Sequence, residues 1–314
     1  REKSHGKGLP NSKRYSGHDM YVTCIGNFDG VHLGHRRIMK RTVELAGRLG
    51  VRSSAISMIY PWAYYFPNFP GIIYPVSQRI ELILSTGIHE VITANMAEIK
   101  HLEPREFING LIGQGVTGIV VGRDFTFGSG AKGNTALLEG MAGEMGFFVD
   151  TVPDCVLDGR RISSSWIREA LAKGEIRQVN ALLGQRYSIR GRVYRDQQLG
   201  SKMGFPTANI TRGEERLVTP KSGVYIVKSI IEGKELFGLL NVGFRPTVQV
   251  TEEVKYEVYY FDFSGDLYDK NIEIEFLEFI RPELKFDGLQ LLIEQIKHDE
   301  KIARRWLELH SEEL

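Results

Sequence analysis

The strongest constraint on the fold of this chain is a change in the spacing of its apolar residues near Gly184. Before that point, short apolar runs such as Tyr21–Ile25 and Val116–Val121 alternate with longer amphipathic stretches. This alternation predicts a parallel sheet with helices on both faces. Beyond it, the segments up to Phe279 are strand-like and separated by turn signals, which predicts a closed or nearly closed antiparallel barrel. Apolar residues at the helical period then predict a final helix over Leu289–Leu307 that packs on the barrel.

This pattern divides the 314 residues into three parts, a length sufficient for two domains. Residues 1–19 are polar, contain no apolar stretch of a secretory signal and begin with Arg rather than Met, so we expect a flexible tail or an expression remnant. Residues 20–184 are predicted to form an α/β domain, and residues 185–314 a β-barrel with its C-terminal helix. The expected fold class is therefore α/β followed by β.

The charge of the chain restricts its partners. The net charge is +1, from 40 basic and 39 acidic residues. Proteins that bind duplex DNA or an anionic membrane usually have a strong basic excess, so we expect no nucleic-acid and no membrane partner. No apolar run approaches the roughly 20 residues that span a bilayer. We therefore expect a cytoplasmic protein that acts on small molecules.

The segment GNFDGVHLGH, residues Gly26–His35, follows a predicted strand and opens a predicted helix. Ligands of open α/β sheets bind at this kind of position, where free backbone amides at a helix N-terminus attract anions. Gly34 permits close approach of the backbone, and His32 and His35 add donors that can stabilise charge on a phosphate. The plainer alternative is a glycine-rich turn with two incidental histidines. Two of the eight histidines of the chain lie here, which favours a phosphate site.

A second candidate segment, ISSSWIR, places three serines at the start of a predicted helix. Ser164 and Ser165 can offer hydroxyls and amides to phosphate oxygens, and Arg168 lies one turn along. Taken alone, a simple N-cap explains the serines. Together with the histidines on the same sheet, they predict the second half of a triphosphate site.

The residues Gly128–Gly133 match the dinucleotide-binding pattern GxGxxG. The preceding strand ends near Val121, so the first glycine is not in the tight strand-to-helix turn that this fingerprint requires, and the strand comes late in the domain. We interpret the segment as a mobile glycine-rich loop near a nucleotide. The phosphate-binding pattern GxxxxGK[ST] does not occur in the chain.

The barrel half carries the segment GFPTAN, residues 204–209. Thr207 and Asn209 lie on one side of an extended segment and offer neutral oxygen ligands suited to Mg²⁺ carried by a nucleotide. Gly204 belongs to a glycine-containing loop that can cover phosphates. Glu257 lies in a β-prone run, and from spacing alone a solvent-facing strand carboxylate is the better interpretation.

Taken together, the motifs resemble those of the prokaryotic bifunctional riboflavin kinase/FMN adenylyltransferases, also called FAD synthetases. The resemblance extends from about Met20 to Arg304. The segments that carry it, in chain order, are GNFDGVHLGH, VVGRDFTFG, ISSSWIREAL, LGSKMGFPTANI, SGVY, NVGFRPTV, YEVYYFDFSGDLY and IRPELKFDGLQLLIEQIKHDEKIAR.

This resemblance implies that a Rossmann-like nucleotidyltransferase domain joins FMN to the AMP part of ATP, forms FAD and releases pyrophosphate. His32 and His35 match the residues that stabilise charge on the phosphates. Asn27 and Asp29 belong to the same motif, in which Asp29 is expected to be structural. The ATP- and phosphate-binding residues implied for this domain are Gly26, Asn27, Phe28, Gly34, Asp124, Ser164, Ser165 and Arg168.

For the barrel, the resemblance implies phosphorylation of riboflavin to FMN by ATP. Thr207 and Asn209 match the residues that hold Mg·ATP and act as metal ligands, with Gly204 in the same nucleotide-binding segment. Glu257 matches the base that takes the proton from the ribityl hydroxyl. Arg281 and the helix after it resemble the element that closes over the flavin.

The chain departs from the family pattern at two positions. Where many members read TFEPHP, this chain has MIYPWA, so Trp62 replaces a histidine. Aromatic faces can stack on an isoalloxazine ring, and Trp62 and Tyr65 are therefore the expected flavin-binding residues of the first domain. Tyr259 replaces a histidine that commonly follows the catalytic Glu.

The resemblance predicts a bifunctional enzyme that uses ATP and Mg²⁺ and has riboflavin, FMN and FAD as substrates and products. One alternative is a riboflavin kinase whose N-terminal domain is a weak or degenerate adenylyltransferase. Another is a non-catalytic regulator that binds flavin or nucleotide. We expect a monomer or a weak homo-oligomer.

Overall fold

The computed structural model describes residues 20–195, 205–246 and 252–314. The expected tail, residues 1–19, and the predicted nucleotide-binding Gly204 lie outside the described residues. Contacts divide the chain into two compact units that meet in sequence between Ser164 and Ser165. The contacts thus group the segment that follows Ser164 with the barrel, whereas the sequence pattern grouped it with the α/β domain. The functional boundary at Gly184 stays a prediction.

The first unit contains the parallel sheet. Its strands are β1 (Tyr21–Gly26), β2 (Arg52–Met58), β3 (Glu90–Ala94), β4 (Val116–Gly122), β5 (Thr126–Phe127), β6 (Gly133–Asn134), β7 (Phe148–Val152), β8 (Val156–Leu157) and β9 (Arg160–Arg161). Its helices are α1 (Leu33–Leu49), α2 (Val76–Leu84), α3 (Met96–Ile99), α4 (Pro104–Ile112) and α5 (Thr135–Met145), with a 3₁₀ turn over Trp62–Tyr65. Among the described residues, five parallel strands form one sheet in the order β3-β2-β1-β4-β7.

Both faces of this sheet are buried, as the sequence predicts. Along β1, alternate side chains point to opposite faces, so Val22 and Cys24 contribute to a core with Met39 of α1. Ile25 belongs to a second core on the other face, with Phe107 of α4. Because β1 is central and its neighbours β2 and β4 lie on opposite sides, the carboxyl end of β1 is the point where the strand order reverses.

The second unit contains the barrel. Its helices are α6 (Ser164–Lys173), which begins at the boundary, α7 (Ile176–Leu183) and α8 (Leu289–Leu309). Its strands are β10 (Ser188–Tyr194), β11 (Thr207–Thr211), β12 (Gly223–Ile231), β13 (Lys234–Pro246), β14 (Glu252–Tyr260) and β15 (Asn271–Arg281). Within the described ranges they close a barrel in the order β10-β11-β14-β13-β12-β15, and every pair in it is antiparallel.

The C-terminal helix packs on the outside of the barrel through its second half. Ala303 is fully buried in an outer cluster with Leu239 and Phe261, and Trp306 contacts the same cluster. The first turn is solvent-facing, since Leu289 is 57% exposed. The predicted packing of this helix on the barrel is confirmed, and it is made by the turns that follow the first. No helix in the part of the chain that the structure describes is long and apolar enough to cross a membrane.

We predict that Gly118→Ala destabilises the first unit. Gly118 lies in β4 opposite Phe148, and a Cβ there would come within 2.1 Å of the Phe148 ring. Relieving such overpacking typically costs about 1–3 kcal/mol. The thermal midpoint measured by calorimetry should therefore fall.

The matched control is Gly140→Ala in α5, where an added Cβ has no neighbour within 4 Å. Alanine is favoured over glycine in a helix by about 0.5–1 kcal/mol, so this variant should unfold at the same or a slightly higher temperature. An unchanged midpoint for Gly118→Ala would contradict the tight packing of β4 against β7.

Candidate functional sites

The first candidate site lies at the carboxyl end of β1. The chain leaves β1 at Gly26 and enters α1 at Leu33, with His32 as the N-cap residue. The Nδ1 atom of His32 accepts a hydrogen bond from the backbone N–H of His35 at 3.4 Å. An imidazole thus takes the role that Ser, Thr, Asp or Asn usually has at this position. The segment is the strand-to-helix connection that the sequence predicts.

The two histidines form a stacked pair. Their ring centroids are 3.6 Å apart with an interplanar angle of 18°, and the Phe28 ring packs edge-on against His35 at 5.3 Å. Gly34 gives the His32 ring room, because a Cβ at this residue would lie 3.1 Å from the ring, which would have to shift by a few tenths of an ångström. The structure therefore brings His32, His35, Phe28 and Gly34 together, as the sequence predicts.

Both histidines have a pKa below the usual value of the side chain. The pKa of His32 is lowered to about 4: burial is the largest cause, the cationic Arg161 acts in the same direction, and Asp124 opposes them. Burial also places the pKa of His35 well below its usual value, with His32, Arg79 and Arg161 acting in the same direction. Both imidazoles are therefore neutral at pH 7 in the protein without ligands. Neutral imidazoles can still donate one hydrogen bond each to a phosphate oxygen.

The backbone between β1 and α1 is strained, and hydrogen bonds hold it in place. Phe28 and Val31 have φ values of 47° and 44°, a conformation that costs non-glycine residues about 1–3 kcal/mol. The buried Asp29 holds the segment, since its Oδ1 accepts from the backbone N–H of Ile73 at 2.9 Å. The Ser164 hydroxyl donates to the Asp29 carbonyl oxygen at 2.7 Å. These contacts agree with the structural role expected for Asp29.

Asp124 lies near the histidine pair, in an ion pair that sequence reasoning missed. Its carboxylate accepts from the Arg161 guanidinium at 2.5 Å, and Arg161 also pairs with Asp154 at 3.1 Å. Arg161 is close enough to both histidines to lower their pKa values. The signal that could have found it is its position just before the three serines, where a cation would meet the same phosphates.

The remaining predicted phosphate-binding residues are placed as follows. Asn27 is exposed at the end of β1, and Ser164 opens α6. Ser165 and Arg168 are the second and fifth residues of α6 and belong to the second unit. The serines do begin a helix, as predicted, but a phosphate contact of Ser165 or Arg168 stays a prediction.

The glycine-rich segment that matches GxGxxG is the connection of a hairpin. β5 pairs with β6 in antiparallel fashion, and Gly128–Gly133 lies between them and at the start of β6. Gly128 has φ 74° and packs against Pro104, where a Cβ would lie 2.7 Å from the proline ring. This geometry differs from the strand-to-helix turn of a dinucleotide-binding fingerprint, which agrees with the rejection of that fingerprint from the sequence. A mobile loop near a nucleotide stays a prediction.

The segment around Trp62, where the chain departs from the family pattern, forms an exposed aromatic surface. Trp62, Tyr65 and Phe66 are each about half exposed, and their rings contact one another at centroid distances near 6 Å. The Lys100 ammonium lies 5.2 Å from the centre of the Trp62 ring. Exposed faces of large aromatic rings are suited to stacking against another ring system.

The second candidate site is a row of residues across the barrel. Glu257 of β14 lies directly opposite Asn209 of β11 on one side and Asn241 of β13 on the other. Asn241 in turn pairs with Val224 of β12, which pairs with Arg281 of β15. Residues directly opposite in a sheet share a face, and Val224 belongs to the outer cluster. The row therefore lies on the outer face of the barrel.

Within this row, Thr207, Asn209 and Glu257 form a polar cluster. The Thr207 hydroxyl donates to Glu257 Oε1 at 2.6 Å, and the Lys255 ammonium lies 3.5 Å from Oε2. Asn209 is 7% exposed, and its Oδ1 atom is buried with no hydrogen-bond partner among the described residues. A buried carbonyl oxygen without a donor is well suited to contact a cation.

Arg281 has a carboxylate partner in this structure. Its guanidinium donates to Asp299 of α8 at 2.7–3.0 Å, and the Asp299 side chain is only 2% exposed. This ion pair connects α8 to β15 at the end of the row. Flavin contact by Arg281 stays a prediction. The other departure, Tyr259, packs edge-on against Phe205 at 5.3 Å and its hydroxyl lies 3.4 Å from Glu300 of α8.

Two family models match the chain. The model described as FAD synthetase matches residues 15–166, and the model described as riboflavin kinase matches residues 183–307. Similar proteins include bifunctional riboflavin kinase/FMN adenylyltransferases from three bacteria. That of Listeria monocytogenes is 31% identical over 90% of this chain and 91% of its own length. Those of Haemophilus influenzae and Escherichia coli K12 are 35% and 33% identical and cover 95% and 92% of this chain and 97% and 93% of their own lengths.

A solved structure has the same fold. The crystal structure described as that of a macrolide-efflux protein from Streptococcus pneumoniae superposes with a TM-score of 0.84 at 28% identity. The match covers 93% of this chain and 96% of that one. Each half of the sequence prediction, the α/β domain and the antiparallel barrel with its helix, is confirmed by the strand orders and by the family models.

We predict that ATP raises the pKa of His32 from its value of about 4. Phosphate oxygens bring negative charge beside a buried neutral imidazole, and an opposite charge favours the protonated form. Proton NMR titration of the histidine ring signals, with and without a non-hydrolysable ATP analogue, measures the change.

The signal of His89 is the internal control. His89 bonds to the Ser53 hydroxyl at 2.7 Å, near the amino ends of β2 and β3 and thus at the opposite edge of the sheet. Its ring signals at a fixed pH should be the same with and without the analogue. A His32 titration that ATP leaves unchanged would count against phosphate binding at this pair.

Proposed function

The chain belongs to the family of bifunctional riboflavin kinase/FMN adenylyltransferases, and from this premise we propose how its residues divide the two reactions. The barrel phosphorylates riboflavin with ATP, and the α/β domain adenylylates the resulting FMN to FAD. The observation that carries the assignment is the row on the barrel, where a hydroxyl, a carboxamide and a carboxylate meet on one face. The stacked histidines at the head of α1 are its counterpart in the first unit.

In the proposed adenylyl transfer, an oxygen of the FMN phosphate attacks the α-phosphorus of ATP. The bond between that phosphorus and the bridging oxygen to the β-phosphate breaks, and pyrophosphate leaves. Negative charge increases on the bridging oxygen as this bond lengthens. His32, His35 and the amides at the N-terminus of α1 are the donors that would bind these oxygens. Within the first unit, Ser164, Asp124 and Arg161 complete the proposed phosphate site. Ser165 and Arg168 are phosphate-binding residues that the resemblance implies.

In the proposed kinase reaction, the terminal ribityl hydroxyl of riboflavin attacks the γ-phosphorus of ATP. Glu257 accepts the proton of that hydroxyl, and ADP leaves. The Thr207 hydroxyl donates to Oε1 of Glu257, so the base is held in one orientation and its second oxygen points to the Lys255 side. A carboxylate is basic enough for this role because proton transfer accompanies phosphoryl transfer and need not precede it.

The same row fits a magnesium ion carried by ATP. Thr207 and Asn209 would hold the ion, and the buried, unpartnered Oδ1 of Asn209 supports this assignment. Oxygen ligands of this kind suit Mg²⁺, which usually keeps water and phosphate oxygens as its other ligands. When bound, the ion neutralises charge on the β- and γ-phosphates.

We propose that flavin binds to Trp62 and Tyr65 in the first domain. Their half-exposed rings and the Lys100 cation beside them support a role in binding a flat ring system that carries a phosphate. For the barrel, Arg281 and α8 are the proposed elements next to the flavin. The ion pair of Arg281 with Asp299 means that flavin contact would come from the exposed edge of its guanidinium or would require the pair to open.

The setting of the enzyme also belongs to the proposal. We propose that it acts in the cytoplasm as a monomer or weak homo-oligomer, without nucleic-acid or membrane partners. The net charge of +1 supports the absence of a polyanionic partner. The replacement of a family histidine by Trp62 favours one alternative, a kinase whose adenylyltransferase activity is weak.

The two activities should separate by substitution. We predict that Glu257→Gln lowers FMN formation from riboflavin by at least about 100-fold, because general-base catalysis contributes about 10²–10⁴-fold. FMN-to-FAD conversion should stay within about twofold. Chromatography of FMN, FAD, ADP and pyrophosphate after incubation with Mg·ATP measures both steps.

The reciprocal control is the double variant His32→Ala with His35→Ala. It should make FMN at the normal rate and form no FAD. If both activities fell together in either folded variant, the proposed division of the reactions would be wrong. FMN formation with no FAD from the unmodified protein would support the weak adenylyltransferase.

A further prediction concerns the aromatic surface. FMN should quench the fluorescence of Trp62, since stacked flavin accepts excitation energy at contact distance. The chain has three tryptophans, so Trp306→Phe, which alters a residue of the second unit, provides the background. Adding Trp62→Phe should remove most of the FMN-dependent quenching. Equal quenching with and without Trp62 would place the flavin elsewhere.

A further inference from the structure

One residue of the barrel row has no role in the reactions described above. Asn241 of β13 lies directly opposite Glu257, on the side of β14 away from Asn209. The carboxylate is therefore flanked by two carboxamides on one face of three neighbouring strands. Adjacent strands are about 4.8 Å apart, so Asn209 and Asn241 are roughly 10 Å apart across the strand that carries Glu257.

Asn241 is oriented toward the same surface as Glu257. Its neighbours in β13, Leu240 and Val242, are completely buried on the inner face, whereas Asn241 is partly exposed. Gly243, two residues along on the outer face, would meet the Glu283 carboxylate at 2.7 Å and the Asn241 amide nitrogen at 3.4 Å if it carried a Cβ. The space above Gly243 is therefore taken by the Glu283 carboxylate, which lies on the same outer face as the Asn241 side chain.

The Asn241 carboxamide is also available. The contacts of the described residues include no hydrogen bond to its side chain. A carboxamide offers two donor hydrogens and an acceptor oxygen. These groups are complementary to an alcohol, which is itself both a donor and an acceptor. A half-buried carboxamide that makes no hydrogen bond to the described residues, and that lies beside the proposed base, can bind a hydroxyl of a substrate.

We propose that Asn241 binds the ribityl chain of riboflavin, through the hydroxyl next to the one that Glu257 deprotonates. This inference rests on the proposed kinase function of the barrel. In that arrangement the Asn209 side of Glu257 takes Mg·ATP, and the Asn241 side takes the polyol. The two substrates then approach the carboxylate from opposite strands, and the terminal hydroxyl lies between them.

Asn241→Leu tests the proposal, because leucine has a similar size and makes no hydrogen bond. Titration of riboflavin fluorescence with the full chain measures binding without catalysis. We expect the Kd for riboflavin to rise about tenfold, the usual effect of losing one or two hydrogen bonds to a substrate. The KM for Mg·ATP should change by less than about twofold.

A riboflavin analogue without the hydroxyl next to the terminal one completes a thermodynamic cycle. It should bind the unmodified protein about tenfold more weakly than riboflavin, and Asn241→Leu should weaken its binding no further. If Asn241→Leu weakened both ligands equally, or left riboflavin binding unchanged, the proposed contact would be wrong.

Two further variants separate this contact from a structural effect. Asn271→Leu alters an exposed asparagine of β15 in the same barrel and should leave riboflavin binding unchanged. Asn241→Thr keeps a hydroxyl on a residue that strands favour, so it should retain part of the affinity even if the leucine variant folds poorly. Failure of the proposed function is distinguishable, since the unmodified protein would then form no FMN at all.

Discussion

The buried guanidinium of Arg79 is the interaction on which the first site depends. Its side chain is completely buried, and it donates to the carbonyl oxygens of Asn27, Met58 and Ile59 at 2.6–3.2 Å. Burying a charge costs several kcal/mol unless hydrogen bonds compensate for the lost hydration. The Arg79 cation therefore needs these three carbonyl oxygens as hydrogen-bond acceptors. The contact fixes the exits of β1 and β2. The histidine segment and the aromatic segment start from these two exits.

The site on the barrel depends on a different constraint, the register of its strands. Thr207, Asn209, Glu257 and Asn241 share one face only because β11, β14 and β13 pair as they do. A slip of one residue would turn a whole strand's polar side chains into the apolar interior, which the fully buried Leu240 and its neighbours fill. Core packing and site geometry are thus set by the same pairing.

These two constraints explain which features of the fold and of the sites could be predicted from the sequence. Periodicity predicted both folds, and the motif around His32 lies where an α/β sheet binds ligands. Roles that depend on tertiary contacts could not be predicted from the sequence. In the sequence, Arg79 is one more polar residue of an amphipathic helix, and Arg161 resembles a surface cation. Asn241 was missed because the register of β13 against β14, which places it opposite Glu257, is not determined by the sequence pattern. The ion pair of Arg281 with Asp299 was missed as well, since it depends on how α8 is placed against β15.

The two departures from the family pattern follow a physical logic. Trp62 and Tyr259 carry aromatic rings where the resemblance leads us to expect imidazoles. Trp62 is half exposed, and Tyr259 lies opposite Thr207 on the face of the barrel that carries Glu257. Stabilising a phosphoryl transition state needs donors and a base at fixed distances, so a substitution there would remove a specific contact. Binding a flat ring or closing a helix over a strand needs area and an aromatic face, which several side chains provide. Aromatic rings at Trp62 and Tyr259 are therefore compatible with the donors and the base that we propose at His32, His35 and Glu257.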